Sequence, residues 1–189
     1  LLALVACTPE KKQEADYSQY VNPMIGTDFT GNTYPGAQVP FGMVQLSPDN
    51  GLPGWDRISG YFYPDTTIAG FSHTHLSGTG AGDLYDISFM PVTRPYKEAP
   101  APLGIYSTFS HNDEAASAGY YRVLLKDYNI NVELTATERC GIQRYTFPEA
   151  EASVFLNLKK AMNWDFTLDS KIEVVDSTTI RGYRLSQGW

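Results

Sequence analysis

Two histidines two positions apart, His73 and His75, stand in the stretch GFSHTHLSGTGAGD at residues 70–83, ahead of a glycine-rich run that ends in Asp83. On a strand, residues i and i+2 face the same way, so both imidazoles would reach one ion. A zinc site also needs a third protein ligand, for which Asp83 or His111 is available. Against this, Leu76, Ser77 and Gly78 follow where a metal-dependent hydrolase places further ligands, and the chain has only three histidines. A phosphate cradle fits less well, because SGTGAGD lacks the P-loop lysine and the GxGxxG spacing, and the run after it reads as a strand, not a helix. The plainer reading has the histidines hydrogen-bonding loop backbone while the glycines turn the chain. No metal site of its own is expected here.

Two other loops carry usable chemistry. In NGLPGWDRISGYFY, residues 50–63, Trp55 next to Asp56 combines a flat apolar face with a carboxylate acceptor. A pyranose wants that combination, its C–H face against an indole and its hydroxyls on a charged acceptor. The alternative is structural: Trp55 plugs one end of the fold while Asp56 pairs with Arg57 or caps a turn. In DFTGNTYPGAQVPFG, residues 28–42, glycines and prolines fix the backbone and Gly31-Asn32 forms a tight-turn pair. Such a loop presents main-chain N–H groups to a ligand, or only closes a hairpin.

The elements that hold these loops read as strands. In NINVELTAT, Ile130, Val132, Leu134 and Ala136 alternate with polar residues, which buries one face and wets the other. YYRVLLK does the same with Tyr121, Val123 and Leu125, and Asp127-Tyr128-Asn129 links the two runs as a hairpin. In RCGIQRYTF the phase slips between Ile142 and Tyr145, which predicts a bulge over Gly141 to Arg144. SVFLNL, KIEVV and TIRGYRL follow as short strands; VPFGMVQLSP, TIAGFSH and YDISFMPV precede as strands between long loops. No stretch has the period of an ordinary amphipathic helix. The expected class is all-β, an antiparallel β-sandwich.

The opening LLALVACTPEKK is too short an apolar run to span a bilayer, which needs about 20 residues. Leu4-Val5-Ala6-Cys7 resembles a bacterial lipoprotein cleavage box, so residues 1–16 are expected to be a signal remnant and tether, with Cys7 lipidated. Cys140 then lacks a disulfide partner and is expected as a small buried core residue. The expected location is periplasmic or on the cell surface, with membrane contact only through Cys7. Residues 17–189 make one domain, and the strand pattern running out at RLSQGW suggests a piece of a longer chain. Acidic residues outnumber basic ones 21 to 14 without a basic cluster, which argues against nucleic acid as a partner.

Taken together, YVNPMIGTDFTGNTYPGAQVPFGMVQLSPDN, GWDRISGYFYPDTTIAGFSHTHLSGTG, GDLYDISFMP, FSHNDEAASAGYYRVLLKDYNINVELTATERCGIQRYTFP and IRGYRLSQGW resemble the N-terminal region of glycoside hydrolase family 92, from Tyr20 to Trp189. Members of that family are calcium-dependent exo-α-mannosidases. The resemblance implies a sandwich joined to a C-terminal (α/α)6 barrel, absent from these residues, with the active site between them. It implies hydrolysis of terminal α-mannosyl residues of glycans with inversion, by two carboxyl groups about 6.5–9.5 Å apart. The acid, the base and most calcium ligands belong to the barrel, so no catalytic residue is assigned here. By motif position, the substrate-binding candidates are Gly31, Asn32, Trp55 and Asp56, with His73 and His75 bracing the loop nearby. Tyr85 stands where many relatives have a smaller residue, and the residues after Asp56 also depart from the pattern, which leaves the linkage open. The alternative function is a freestanding carbohydrate-binding sandwich on a lipoprotein tether.

Overall fold

In the computed structural model, residues 15–78, 82, 85–101, 103–159 and 165–188 are described. Cys7 and Asp83 lie outside the described residues. Fourteen strands follow in chain order: β1 (Ser47–Asp49), β2 (Thr67–Ile68), β3 (Gly70–Ser72), β4 (Ser88–Thr93), β5 (Glu98–Ala99), β6 (Gly104–Ile105), β7 (Ser107–Thr108), β8 (Glu114–Ser117), β9 (Tyr120–Leu125), β10 (Ile130–Ala136), β11 (Gly141–Thr146), β12 (Ala152–Asn157), β13 (Phe166–Val174) and β14 (Ile180–Gln187). The helical content of the described residues is limited to 3-10 turns at Ser18–Tyr20, Trp55–Arg57 and His111–Asp113. The expected all-β class holds.

Two four-stranded sheets form the body, ordered β1-β3-β4-β12 and β11-β10-β9-β8, and every pairing is antiparallel. The alternation in β10 explains why they face each other. Ile130, Val132 and Leu134 sit opposite Leu125, Val123 and Tyr121 of β9, so six apolar side chains share one face. They bury against Phe71, Met90 and Val92 from the first sheet, and against Leu46 just before it, in a common core. Each such side chain contributes roughly 1.5–3 kcal/mol when fully removed from water. The link between β9 and β10 closes as expected, with the Tyr128 N–H donating to the Leu125 carbonyl at 3.2 Å.

Several expectations are corrected. The run 67–73 is not one strand: it breaks at Ala69, so β2 pairs with β7 while β3 joins the first sheet. The run 39–48 narrows to β1 and a single bridge between Ala37 and Leu46, since Val39 to Gly42 make a turn that leaves Phe41 fully exposed. The bulge over 141–144 does not form. Strand β11 pairs with β10 without a shift from Asn131↔Thr146 to Ala136↔Gly141. That register turns Gly141, Gln143 and Tyr145 inward and leaves Ile142 outward, 56% exposed. The inward positions suit their surroundings. Gln143 donates to the Phe71 carbonyl at 3.5 Å and accepts from the Tyr145 hydroxyl at 2.5 Å, while Gly141 makes room for the His73 ring. Cys140 is exposed, not buried, because it closes the turn from β10 to β11, its carbonyl accepting from the Thr137 N–H at 2.8 Å.

Strands β13 and β14 form a hairpin ribbon outside the two sheets, with Leu168, Val174, Tyr183 and Leu185 at least half exposed. Arg184 ties it down, donating to the Tyr85 carbonyl at 2.8 Å and pairing with Asp86 at 2.9 Å.

Candidate functional site

Segment 51–63 leaves β1 through Gly51, Pro53 and Gly54 and then turns twice. The Arg57 N–H donates to the Gly54 carbonyl at 3.1 Å, and the Gly60 N–H to the Arg57 carbonyl at 3.0 Å. Arg57 forks onto Asp65 with two bonds of 2.6 Å and lies 4.6 Å over the Phe62 ring. The bond to Asp65 holds its guanidinium above the usual range. Arg57 is therefore committed to Asp65 and not to Asp56. The Asp56 carboxylate has no hydrogen-bond or ion-pair partner among the described residues, and the Trp55 side chain is 53% exposed beside it. An indole face and a free carboxylate thus sit adjacent on a fixed turn.

The loop 26–33 is equally constrained. A Cβ on Gly31 would lie 2.2 Å from the Gly26 carbonyl oxygen, so no larger residue fits there. Asn32, buried and with φ of 49°, donates weakly to the Thr30 carbonyl at 3.4 Å. Its amide oxygen is buried without a hydrogen-bond partner among the described residues. An unpaired buried acceptor costs about 1–3 kcal/mol, so such an atom invites a donor.

Beyond β3 the two histidines diverge, so they do not present one face to one ion. His73 Nδ1 donates to the Ile87 carbonyl at 2.9 Å and its ring stacks edge-on to Phe89, which aims it between the sheets. Burial pushes its pKa below the ordinary value. His75 is buried in the other direction: Nδ1 donates to the Gln45 carbonyl at 2.8 Å and Nε2 meets Asp49 Oδ1 at 2.7 Å. His111 is elsewhere, stacked at 3.9 Å on Tyr63 and bonded through Nδ1 to Glu114 at 2.6 Å. Glu114 also accepts from the hydroxyls of Tyr61 and Tyr121 at 3.0 and 2.5 Å.

Three backbone-directed bonds fasten the loops together. The Ser59 hydroxyl donates to the Thr33 carbonyl at 3.1 Å, the Tyr63 N–H to Thr27 at 2.8 Å, and the Gly78 N–H to Asn32 at 2.7 Å. The segment carrying Gly31 and Asn32 is thereby tied to the end of the Trp55–Asp56 loop and to the chain just past His75, while His73 lies against Phe89 and Gly141 of the two sheets. Sequence reasoning missed Asp49 and Glu114, because nothing in SPDNG or HNDEA marks a carboxylate whose partner is far away or a phenol. A cavity of about 850 Å³ opens elsewhere, along β12 and β13, lined by Met90, Phe155 and Ile172 together with Glu98, Asn157 and Lys171, and by no residue of the three loops. We place the candidate site at the loops, which carry the indole–carboxylate pair and the buried Asn32 acceptor.

Known proteins resemble this chain in sequence and in fold. An uncharacterized secreted glycosidase of Arthroderma benhamiae is 27% identical over 161 residues, covering 80% of this chain and 20% of that protein. A family GH92 α-mannosidase of Bacteroides thetaiotaomicron, solved with mannoimidazole, superposes with a TM-score of 0.85 at 43% identity, over 91% of this chain and 23% of that one. A family GH92 inverting mannosidase of the same organism superposes with a TM-score of 0.75 at 28% identity, over 94% of this chain and 24% of that one. The chain thus spans less than a quarter of the length of each of these relatives. The family model described as the glycosyl hydrolase family 92 N-terminal domain matches residues 20–189. This chain belongs to glycosyl hydrolase family 92, and the matched residues are its N-terminal domain.

Proposed function

We propose that these residues are the N-terminal part of an exo-acting, inverting α-mannosidase, and that Trp55 and Asp56 bind the terminal mannose of a glycan. The observation that carries the reading is the half-exposed Trp55 indole next in sequence to an Asp56 carboxylate that accepts no hydrogen bond from the described residues, since Arg57 is bonded to Asp65. The indole stacks on the sugar's C–H face while the carboxylate accepts from its hydroxyls. Asn32 Oδ1, buried and unpaired among the described residues, supplies a further acceptor. Gly31 lets the Asn32 turn close, and His73 and His75 hold the surrounding backbone.

Catalysis in this reading belongs to carboxyl groups of a C-terminal barrel in the same polypeptide, so the 189-residue chain by itself is inactive. Calcium would take six to eight oxygen ligands. Among the described residues no group of three or more His, Cys, Asp or Glu could hold a metal ion, so the residues present do not fit a calcium site and no step is routed through the ion. The protein is proposed to be exported and anchored through a lipid on Cys7.

The test is kinetic. In the full-length protein acting on an aryl α-mannoside, Trp55→Ala is expected to cost about 1–3 kcal/mol of sugar binding, read as a roughly 5- to 150-fold rise in KM. Unchanged KM would return Trp55 to a packing role. Turnover by the 189-residue chain alone would show that the reacting carboxyls lie within it.

A further inference from the structure

The Asp49–His75 pair lies beneath the Trp55 turn and is buried to 0% side-chain exposure on both partners. His75 Nδ1–H is committed to the Gln45 carbonyl, which can only accept, and this leaves Nε2 to Asp49 Oδ1 at 2.7 Å and the Ser72 hydroxyl at 3.3 Å. Asp49 is itself held by the Ser72 hydroxyl, which donates to Oδ1 at 3.0 Å, and faces the Ser88 hydroxyl at 3.5 Å from Oδ2. Burying a charged group is costly unless such partners surround it, so a fixed pair at this depth holds its neighbours in one arrangement.

Those neighbours are the end of the Trp55 turn. Gly60, with φ of +91°, lies flat on the pair: a Cβ there would come within 2.9 Å of His75 Cδ2 and 3.2 Å of Asp49 Oδ1. The Gly60 N–H closes the turn on Arg57, and its carbonyl accepts from the Asn50 N–H at 2.9 Å. The Asn50 side chain, next in sequence to Asp49, accepts from the Phe62 N–H at 2.5 Å and donates to the Thr67 carbonyl at 2.8 Å. The turn is thus pressed against the pair at Gly60 and held by Asn50 on both sides of Tyr61.

We infer that Asp49 and His75 are positioning residues, a buried hydrogen-bonded pair that fixes the Trp55–Asp56 turn in its sugar-binding geometry. This deepens the reading above and rests on it for its kinetic part. Neither side chain reaches solvent, so both act through Gly60 and not on substrate.

The experiment uses the full-length protein and two readouts, hydrogen exchange of the peptide covering 54–63 and kinetics on an aryl α-mannoside. Asp49→Ala and His75→Ala are expected to speed exchange at 54–63 by about tenfold, with the peptide covering 120–136 unchanged. They raise KM by about tenfold with a smaller change in kcat, the split expected of lost ground-state positioning. Asp49→Asn, whose amide can still donate to Nε2, restores most of both effects. Unchanged exchange at 54–63, an equal rise at 120–136, or an Asp49→Asn variant no better than Asp49→Ala would overturn the inference. Should the alanine variants not fold, Ser72→Ala removes the hydroxyl that faces both Asp49 Oδ1 and His75 Nε2 and is read by the same exchange, where no change at 54–63 is equally fatal. The exchange readout needs no sugar: if Trp55→Ala leaves KM alone but His75→Ala still loosens 54–63, the substrate reading fails and the positioning one stands.

Discussion

His73 spends its imidazole on structure, and that has a signature in pH. Burial lowers its pKa below the ordinary 6.5, against the opposing bond to the Ile87 carbonyl. The unfolded chain therefore takes up a proton near pH 6.5 that the folded chain refuses. Stability from this residue is complete above that value and declines as pH falls from it toward the folded pKa, by at most about 1.4 kcal/mol per pH unit. Urea unfolding of wild type and His73→Leu from pH 7.5 to 5 should show a shallower acid slope in the variant; parallel slopes would mean that His73 titrates alike in both states. At this scale the sequence was half legible. Residue types pointed to Trp55 and Asp56 as a stacking face and an acceptor, and motif position pointed to Gly31 and Asn32; the histidines' bonds to the Ile87 and Gln45 carbonyls match the backbone reading. The identity of each partner was not legible, because Asp49 and His75 meet across 26 positions and only the closed sheet brings them together.

Strand β11 shows how an element's register is decided by what faces it. Read alone, its apolar residues fall out of phase and call for an extra residue. In the fold, Gly141 takes the inward position because the His73 ring already occupies the space a Cβ would need, 2.9 Å from Cδ2. Gly141→Ala should consequently destabilise the domain by about 1–3 kcal/mol through overpacking, despite alanine's lower backbone entropy cost. A lowered urea midpoint at constant m would register this; an unchanged midpoint would mean the ring moves aside freely. Strands β9 and β10 were legible because each packs one face on core and one on water over six or more residues. The two-residue strands β2, β5, β6 and β7 are too short for any period to develop, and β2 finds its partner β7 about 40 positions away.

On the scale of the whole molecule, two sheets share a core, and the loops at one end are tied by bonds that run between segments far apart in sequence. One of these ties, the Glu114 carboxylate gripped by Tyr61 and Tyr121, also links the loop end to β8 and β9 of the second sheet. Burial first, and the neighbouring carboxylate second, push both phenols well above the ordinary value of 10.0. Raised folded values mean that this contribution is whole below pH 10 and fades as alkali ionises the unfolded chain. Of the 13 tyrosines, some such as Tyr17 and Tyr20 face solvent. Tyr61 and Tyr121 should remain spectroscopically silent until the domain collapses. Phenolate absorbance at 295 nm would then rise in two stages, the second coinciding with loss of circular dichroism, and a single smooth rise would show that base reaches Glu114's companions without unfolding anything. The colour change of two rings would in this way report the integrity of the seam between loop end and second sheet.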